Sequence, residues 1–239
     1  MEYVIQNVCF FQSYLSNRKQ VVKCGKTLSD VKLIDTGVPQ GSVLGPILFM
    51  LFVNDISQNV HIGSINLYAD DCLVYCTGST VIDVNEKLQK CIDDASSWYT
   101  GNKLVLNVEK SNTMLITSKH KHQTLNTNVN IELYGSSLQQ VQCTKYLGVT
   151  LEQSLSWDTH INNLCSNLSR KVGLLSRLRK CTPQYVLIKI YWHCIQPTID
   201  YALSVWGNTT TKNLNKIQRI QNYASRIITA ILITSTQGV

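Results

Sequence analysis

Ser64-Ile-Asn-Leu-Tyr-Ala-Asp-Asp-Cys-Leu-Val-Tyr-Cys76 sets a short apolar run on either side of an acidic pair. Ile65 and Leu67 alternate with polar positions before the pair, and Leu73 and Tyr75 do so after it. That pattern predicts two strands meeting at Ala69-Asp70-Asp71, a hairpin tip that leaves both carboxylates exposed and rigidly aimed. Two unpaired carboxylates ~4 Å apart repel by about 1 kcal/mol in water and about 4 kcal/mol near a protein surface. A divalent cation turns that cost into attraction, and hard oxygen ligands suit Mg²⁺. Any acidic pair can instead be a polar turn. Asp93-Asp94, in a helical pattern beside Ser96 and Ser97, reads as such a solvated surface.

Upstream lies Gly37-Val-Pro-Gln-Gly-Ser-Val-Leu-Gly-Pro46, whose three glycines and two prolines predict a loop that a ligand can approach closely. The next seven residues, Ile47 to Val53, are all apolar and predict a buried helix. A phosphate-cradling loop is the competing reading, but its Gly-Lys-Ser/Thr ending is absent. Downstream, Val81, Val84, Leu88, Cys91, Ala95 and Trp98 recur at helical spacing, with Gly101 as a stop. Strand-like runs follow at Leu104 to Leu106, Met114 to Thr117, Val129 to Leu133 and Lys145 to Leu151. The Tyr134-Gly135-Ser136 turn predicts that the last two pair.

From Trp157 onward the pattern is helical. Ile161, Leu164, Leu168, Val172, Leu175 and Leu178 form one stripe. Thr182-Pro183 reads as the cap and first position of a second helix running to Pro197, with Leu187, Ile190, Tyr191 and Cys194 inward. After a linker at Gly207 to Thr211, Leu214, Ile217, Gln221, Ala224 and Ile228 mark a third. The expected class is α+β, divided at residues 1–151 and 152–239.

With 44% hydrophobic residues, the 239-residue chain has enough apolar content for a packed core and too much for disorder. No run reaches the ~18 apolar residues of a membrane span, and Met1 opens no secretory signal. The expectation is an intracellular protein of nucleus or cytoplasm with no membrane partner. Nine cysteines, an odd number without a CxxC pair, predict reduced thiols. His120 and His122 lie in a Lys-His-Lys-His run that reads as a basic loop rather than a metal site. Charge divides unevenly. Residues 159–239 carry ten Lys or Arg against Asp200 alone, a net +9, while the other twelve basic and fourteen acidic residues give −2. A polyanion met by the back half fits that asymmetry.

Gly37-Val-Pro-Gln-Gly-Ser42 followed by Tyr68-Ala69-Asp70-Asp71 resembles two successive motifs of reverse transcriptases. Ser13 to Gln20, Gly37 to Pro46 and Tyr146-Leu-Gly-Val149 are most similar to the non-LTR (LINE-type, jockey-like) retrotransposon lineage. The likeness continues through Leu106-Asn107, Lys110-Ser111, Trp157, His160-Ile161, Arg177, Pro197, Tyr201, Val205-Trp206-Gly207 and Ile217-Gln218-Arg219.

The resemblance implies a right-hand polymerase: a palm of antiparallel sheet and helices, then an all-helical thumb over the template–primer duplex. Asp70 and Asp71 would hold two Mg²⁺ ions, and Lys110 would protonate the leaving group. Pro39, Gln40, Gly41 and Tyr68 would lie against the RNA template and the incoming deoxynucleoside triphosphate. Tyr146, Leu147 and Gly148 would grip the DNA primer. Arg170, Lys171, Arg177, Arg179 and Lys180 would follow phosphates.

The family supplies a further aspartate from a strand upstream of Tyr14, where this chain has only Glu2 as an acid; Asp30, Asp35 and Asp55 fall at unmatched positions. The fingers region and first palm strand are therefore expected to be missing, and this chain alone is expected to be inactive. The alternatives are a non-catalytic transposon remnant that binds RNA or DNA through its basic half, and an active enzyme recorded incompletely. No endonuclease domain is recognisable.

Overall fold

The computed structural model describes residues 2–118 and 128–229, so the predicted loop containing His120 and His122 lies outside the described residues. The chain forms two compact units, residues 1–106 and 107–239, both mixing helix and strand as the α+β expectation requires.

The first unit opens on α1 (Glu2–Leu15). A nested pair of ladders follows: β1 (Arg18–Gln20) runs antiparallel to β4 (Lys32–Ile34), enclosing β2 (Lys23–Cys24) against β3 (Thr27–Leu28). The turn opens on Gly25, whose φ of +62° suits glycine. Sequence pattern missed these strands because pieces of two or three residues carry no readable alternation.

Helix α2 (Gly45–Val53) forms where predicted, but it is not buried. Only Gly45 and Val53 are covered, while Ile47, Met50, Leu51 and Phe52 are 46–67% exposed. An unbroken apolar run presents apolar side chains on every side of a helix, and packing within the unit covers only the side carrying Phe49 and Val53. Next come β5 (Ser64–Tyr68), β6 (Asp71–Tyr75) and α3 (Val81–Gly101). Thr80 caps α3 by accepting from the Asp83 amide, and Gly101 is its last residue. The predicted stripe is the one buried, with Cys91 and Ala95 at 0–1% exposure.

From the end of the first unit onward the chain departs from the predicted strand pattern. Leu104 to Leu106 form no ladder, and Met114 to Thr117 lie beyond the two-residue β7 (Asn112–Thr113). Tyr134-Gly135 joins β8 (Glu132–Leu133) to β9 (Ser136–Ser137) instead of to the later run. β10 (Gln139–Gln140) pairs parallel with β7. Lys145 to Leu151 does not form one strand. It folds back on itself as β11 (Cys143–Tyr146) and β12 (Val149–Glu152), because Leu147 and Gly148 both adopt positive φ, the signature of a two-residue hairpin turn.

Beyond this the chain is helical. α4 (Asp158–Leu178) buries Ile161, Leu164, Leu168, Val172 and Leu175 as predicted; each fully buried Leu or Ile stabilises by about 1.5–3 kcal/mol. α5 (Gln184–Ile190) takes Pro183 as its cap rather than its first position. A π-turn (Tyr191–Ile195) follows, and α6 (Gln196–Asp200) carries the helix past Pro197. Proline offers no N–H to the preceding turn, and the wider turn absorbs that loss. The extra residue shifts the phase, so Ile195 and Ile199 point inward while Cys194, predicted inward, is exposed. α7 (Leu203–Trp206) and α8 (Thr211–Thr229) complete the unit. Along α8, Asn213, Ile217, Ala224 and Ile227 are buried, and Leu214 lies outside. All nine cysteines are free, and no described helix is long and apolar enough to cross a membrane.

Candidate active site

The tip of the β5–β6 hairpin is as short as an antiparallel connection can be. Tyr68 pairs with Asp71, leaving Ala69 and Asp70 as a two-residue turn. Ala69 has φ +53°, a left-handed conformation that favours glycine. The register sets Leu67 opposite Cys72 and Ile65 opposite Val74, so these four share the packed face. Leu73 and Tyr75, read from sequence as the apolar face of β6, are thus on the other side, and Tyr75 is 46% exposed. Asp70, Asp71 and Tyr68 are exposed, and neither carboxylate has a hydrogen-bond or ion-pair partner among the described residues. Asp93, by contrast, accepts from Gln89 on the surface of α3.

The hairpin is braced from behind. Val53, Ile56, Trp98 and Tyr99 form a core against which Phe49, Ile65, Leu67 and Cys72 pack, tying α2, the hairpin and α3 together. Burial pushes the Cys72 thiol up, with a hydrogen bond to Tyr99 opposing. Gly63 lets α3 approach: a Cβ there would lie 2.7 Å from Cys91 Sγ and from the Tyr75 carbonyl.

The glycine-rich loop is anchored on the same core through α2. Ser42 N–H donates to the Pro39 carbonyl at 3.3 Å, closing a turn with Gln40 and Gly41 exposed at its corner. Gly41, φ +78°, occupies a corner position that requires positive φ. Ser42 Oγ also donates to Pro39 O at 2.8 Å and accepts from Gly45 N–H at 3.0 Å, joining turn to helix. The other end is held by Arg18. Its guanidinium donates to the carbonyls of Leu15, Thr36 and Gly37 at 3.0, 2.9 and 2.6 Å. Nothing in the sequence marked this contact, which joins residues 19 positions apart.

In the second unit the Tyr146–Val149 hairpin tip is held from α6's end. Tyr201 Oη donates to Leu147 O at 2.6 Å, and a Cβ on Gly148 would lie 3.1 Å from the Tyr201 ring. The base of this hairpin is tied to α4. His160 Nδ1 accepts from Thr150 N–H at 3.2 Å. Glu152 accepts from the Ser156 hydroxyl, and from Thr159 N–H at 2.5 Å. Glu152 thereby caps a helix whose own cap position, Trp157, supplies no side-chain bond. Burial pushes the Glu152 carboxyl up, but the Ser156 and Thr159 bonds outweigh it and hold it below the usual range. Lys110 closes a 3₁₀ turn (Val108–Lys110) capped by Asn107. Arg170, Arg177 and Lys180 are exposed and Arg179 half-buried, all without an acidic partner among the described residues. Lys171 is engaged inside the fold, donating to Cys194 O at 2.9 Å and Thr198 Oγ1 at 2.5 Å.

The family described as reverse transcriptase (RNA-dependent DNA polymerase) matches residues 4–151 of this chain, a span that includes the glycine loop, the acidic hairpin and the Leu147 hairpin. The chain belongs to the reverse transcriptase family.

Its relatives place this reverse transcriptase chain in the non-LTR retrotransposon lineage. It is 31% identical over 229 residues to the probable RNA-directed DNA polymerase from transposon BS of Drosophila melanogaster, covering 91% of this chain and 25% of that protein. To the RNA-directed DNA polymerase from mobile element jockey of Drosophila funebris it is 30% identical over 220 residues, covering 88% of this chain and 24% of the relative. A Pol polyprotein from the type-1 retrotransposable element R1 2 of Nasonia vitripennis is 26% identical over 183 residues, covering 71% and 43%. The chain thus spans about a quarter of the length of the first two relatives. No solved structure matches.

Reverse transcriptases as a family depend on divalent metal ions. The exposed, unpaired oxygens of Asp70 and Asp71 fit such an ion in kind. They fall short in number: among the described residues no group of three or more His, Cys, Asp or Glu side chains could hold a metal ion.

Proposed function

We propose that this chain is the palm and thumb part of an RNA-directed DNA polymerase of a non-LTR retrotransposon, with the palm in residues 1–151 and the thumb in 152–239. The observation that carries this reading is the β5–β6 tip, where Asp70 in a two-residue turn and Asp71 at the start of β6 present carboxylates without a partner among the described residues, braced by α2 and α3. Asp70 and Asp71 would hold Mg²⁺, which in such sites activates the primer 3′-hydroxyl and stabilises the leaving pyrophosphate. The chain's own residues supply position. The Pro39-Gln40-Gly41 turn, exposed at Gln40 and Gly41, and Tyr68 would face the RNA template and the deoxynucleoside triphosphate. Tyr146, Leu147 and Gly148 would hold the DNA primer end, and Lys110 would donate a proton to the leaving group. Arg170, Arg177, Arg179 and Lys180 would neutralise phosphates. Lys171 would join them only by leaving Cys194 O and Thr198. The work is assigned to the nucleus or cytoplasm, where nucleic-acid template is found.

With two carboxylates and no third ligand beside them among the described residues, the 239 residues alone are expected to extend no primer. The test is Mg²⁺-dependent extension on an RNA template by the purified chain and by a chimera in which it replaces the matching quarter of the jockey polymerase. Extension by the chimera alone, lost in Asp70→Ala and kept in Asp93→Ala, is the expected result. Extension that survives Asp70→Ala overturns the assignment. A second reading, nucleic-acid binding without catalysis, is favoured by the excess of cations after residue 159; salt-sensitive binding with an inert chimera would establish it.

A further inference from the structure

Cys76 is the first residue beyond β6, at the end of the hairpin away from Asp70, and its side chain faces α3. Its thiol donates to the Val84 carbonyl of that helix at 3.5 Å. Cys91, two helical turns past Val84 on the same side of α3, is fully buried. Gly63 shows how near the two cysteines come. A Cβ built on it would lie 2.7 Å from Cys91 Sγ and 3.4 Å from Cys76 Cβ, so that sulfur is at most about 6 Å from Cys76 Cβ. In a disulfide the same separation is about 3 Å. The difference is the distance a cysteine sulfur travels between staggered rotamers, also about 3 Å.

The two sulfurs differ in access: Cys76 is half-buried, and Cys91 is closed off from solvent. Burial pushes both thiols up, and at Cys76 the neighbouring Cys91 adds to the shift. Each sulfur also has one group that favours its anion, the form that attacks. At Cys76 it is Lys87, whose ammonium donates to the adjoining Thr77 carbonyl at 3.4 Å. At Cys91 it is the Gly63 N–H, which hydrogen-bonds the sulfur. Cys72 lies on the same side of β6 as Cys76, but its partner is Tyr99, eight residues past Cys91 along α3.

We propose that Cys76 and Cys91 form a peroxide-responsive pair that closes to a disulfide and staples the end of the hairpin to α3. The Cys76 thiol gives up its proton, and its sulfur attacks one oxygen of hydrogen peroxide. The O–O bond breaks, leaving a sulfenic acid, and the departing hydroxide takes up a proton as water. Cys91 then loses its proton and attacks Cys76 Sγ; the S–O bond breaks, and the hydroxide leaves with that proton as a second water. Two thiols are oxidised and one peroxide is reduced, and a small dithiol reverses the bond by exchange. Free thiols are the resting state of all nine cysteines. A bond that forms and reopens is the kind of disulfide that reducing compartments contain. The inference concerns the support of the hairpin and does not rest on the polymerase reading.

The test is submillimolar hydrogen peroxide added to the reduced 239-residue chain at neutral pH, followed by denaturation, maleimide alkylation and peptide mapping. The expected product carries two fewer maleimide groups and a peptide pair joined through Cys76 and Cys91, and dithiothreitol restores both thiols. Cys76→Ser and Cys91→Ser should each lower the yield of linked product at least tenfold, and Cys72→Ser should leave it within about twofold. If Cys91→Ser does not melt like the wild type, the linked peptide of the wild type and Cys76→Ser carry the test. The linked chain should melt several degrees above the reduced one, because the bond closes a short loop. Peroxide that leaves both thiols open to alkylation overturns the proposal, as does Cys76 sulfinic acid with Cys91 untouched, or a link between Cys72 and Cys76. Linkage at the same rate in urea would assign the bond to the chain instead of the fold and overturn it too. A linked chain that melts below the reduced one would remove the staple.

Discussion

The Tyr201 hydroxyl holds the Leu147 carbonyl at 2.6 Å across 54 residues, pinning the turn of one hairpin to the end of a helix. Gly148 beside it has φ +80°, and the Tyr201 ring fills the space a side chain would need. Tyr201→Phe should cost about 1 kcal/mol, the net worth of one hydrogen bond. Gly148→Ala should cost more, because it adds left-handed strain to a clash with the ring. Urea melts of the two variants check the order. Equal stability of Gly148→Ala and wild type would show that the turn yields freely.

Ala69 is held in a left-handed conformation at the tip that carries Asp70. Strain at such a turn persists only where the flanking structure imposes it, and here the five-residue ladder does so. Ala69→Gly should relieve about 1 kcal/mol and raise the melting temperature. The same change frees the backbone that aims Asp70, so in the jockey chimera it should lower extension. A variant both more stable and equally active would mean that the strain has no part in positioning the carboxylate.

The acidic hairpin, α3 and α4 were legible because each rests on local periodicity and a clear stop, and a two-residue turn leaves little freedom in how strands pair. What the sequence hid was non-local. Which face of β6 packs follows from pairing with Leu67, not from the alternation of Leu73 and Tyr75. The inward set of residues 184–200 depends on a π-turn forced near Pro197, which moved Cys194 out and Ile195 in. The exposure of α2 reflects packing that covers the side carrying Phe49 and Val53, and no pattern within Ile47 to Val53 encodes that. Arg18 and Tyr201 sat inside quoted motifs, yet their partners lie 18 to 54 residues away and leave no local trace.

Acid should loosen the β11–β12 hairpin from α4 in two stages. Burial lowers the His160 imidazole from its usual value near 6.5, and its Nδ1 is already committed to accepting from Thr150. A depressed folded value means that the stabilisation is complete above the unfolded value and drains as pH falls below it, since protonation destroys the acceptor. Glu152 follows the same sign lower down, losing its cap on α4 below its ordinary value of 4.5. His160→Asn keeps an acceptor for Thr150 and should abolish the first stage; Glu152→Gln should abolish the second. Thermal melts between pH 2.5 and 8 read both. A first stage that persists in His160→Asn would assign it to another group.

Lys171 and Arg177 lie on the same helix and carry the same charge, yet they should answer mutation in opposite ways. Lys171 spans from α4 to the Cys194 carbonyl and Thr198, satisfying a backbone group at the irregular end of the π-turn. Lys171→Met retains the alkyl stem and removes the donor, and after allowance for partial exposure it should cost about 1 kcal/mol. Arg177 is exposed with no acidic partner among the described residues, so Arg177→Ala should leave stability within about 0.5 kcal/mol. Its effect should fall instead on the salt dependence of nucleic-acid binding, lowering the slope by about 0.7. Denaturant melts and anisotropy on the same two proteins separate the roles. A destabilised Arg177→Ala, or a Lys171→Met whose only defect is in binding, would reverse them.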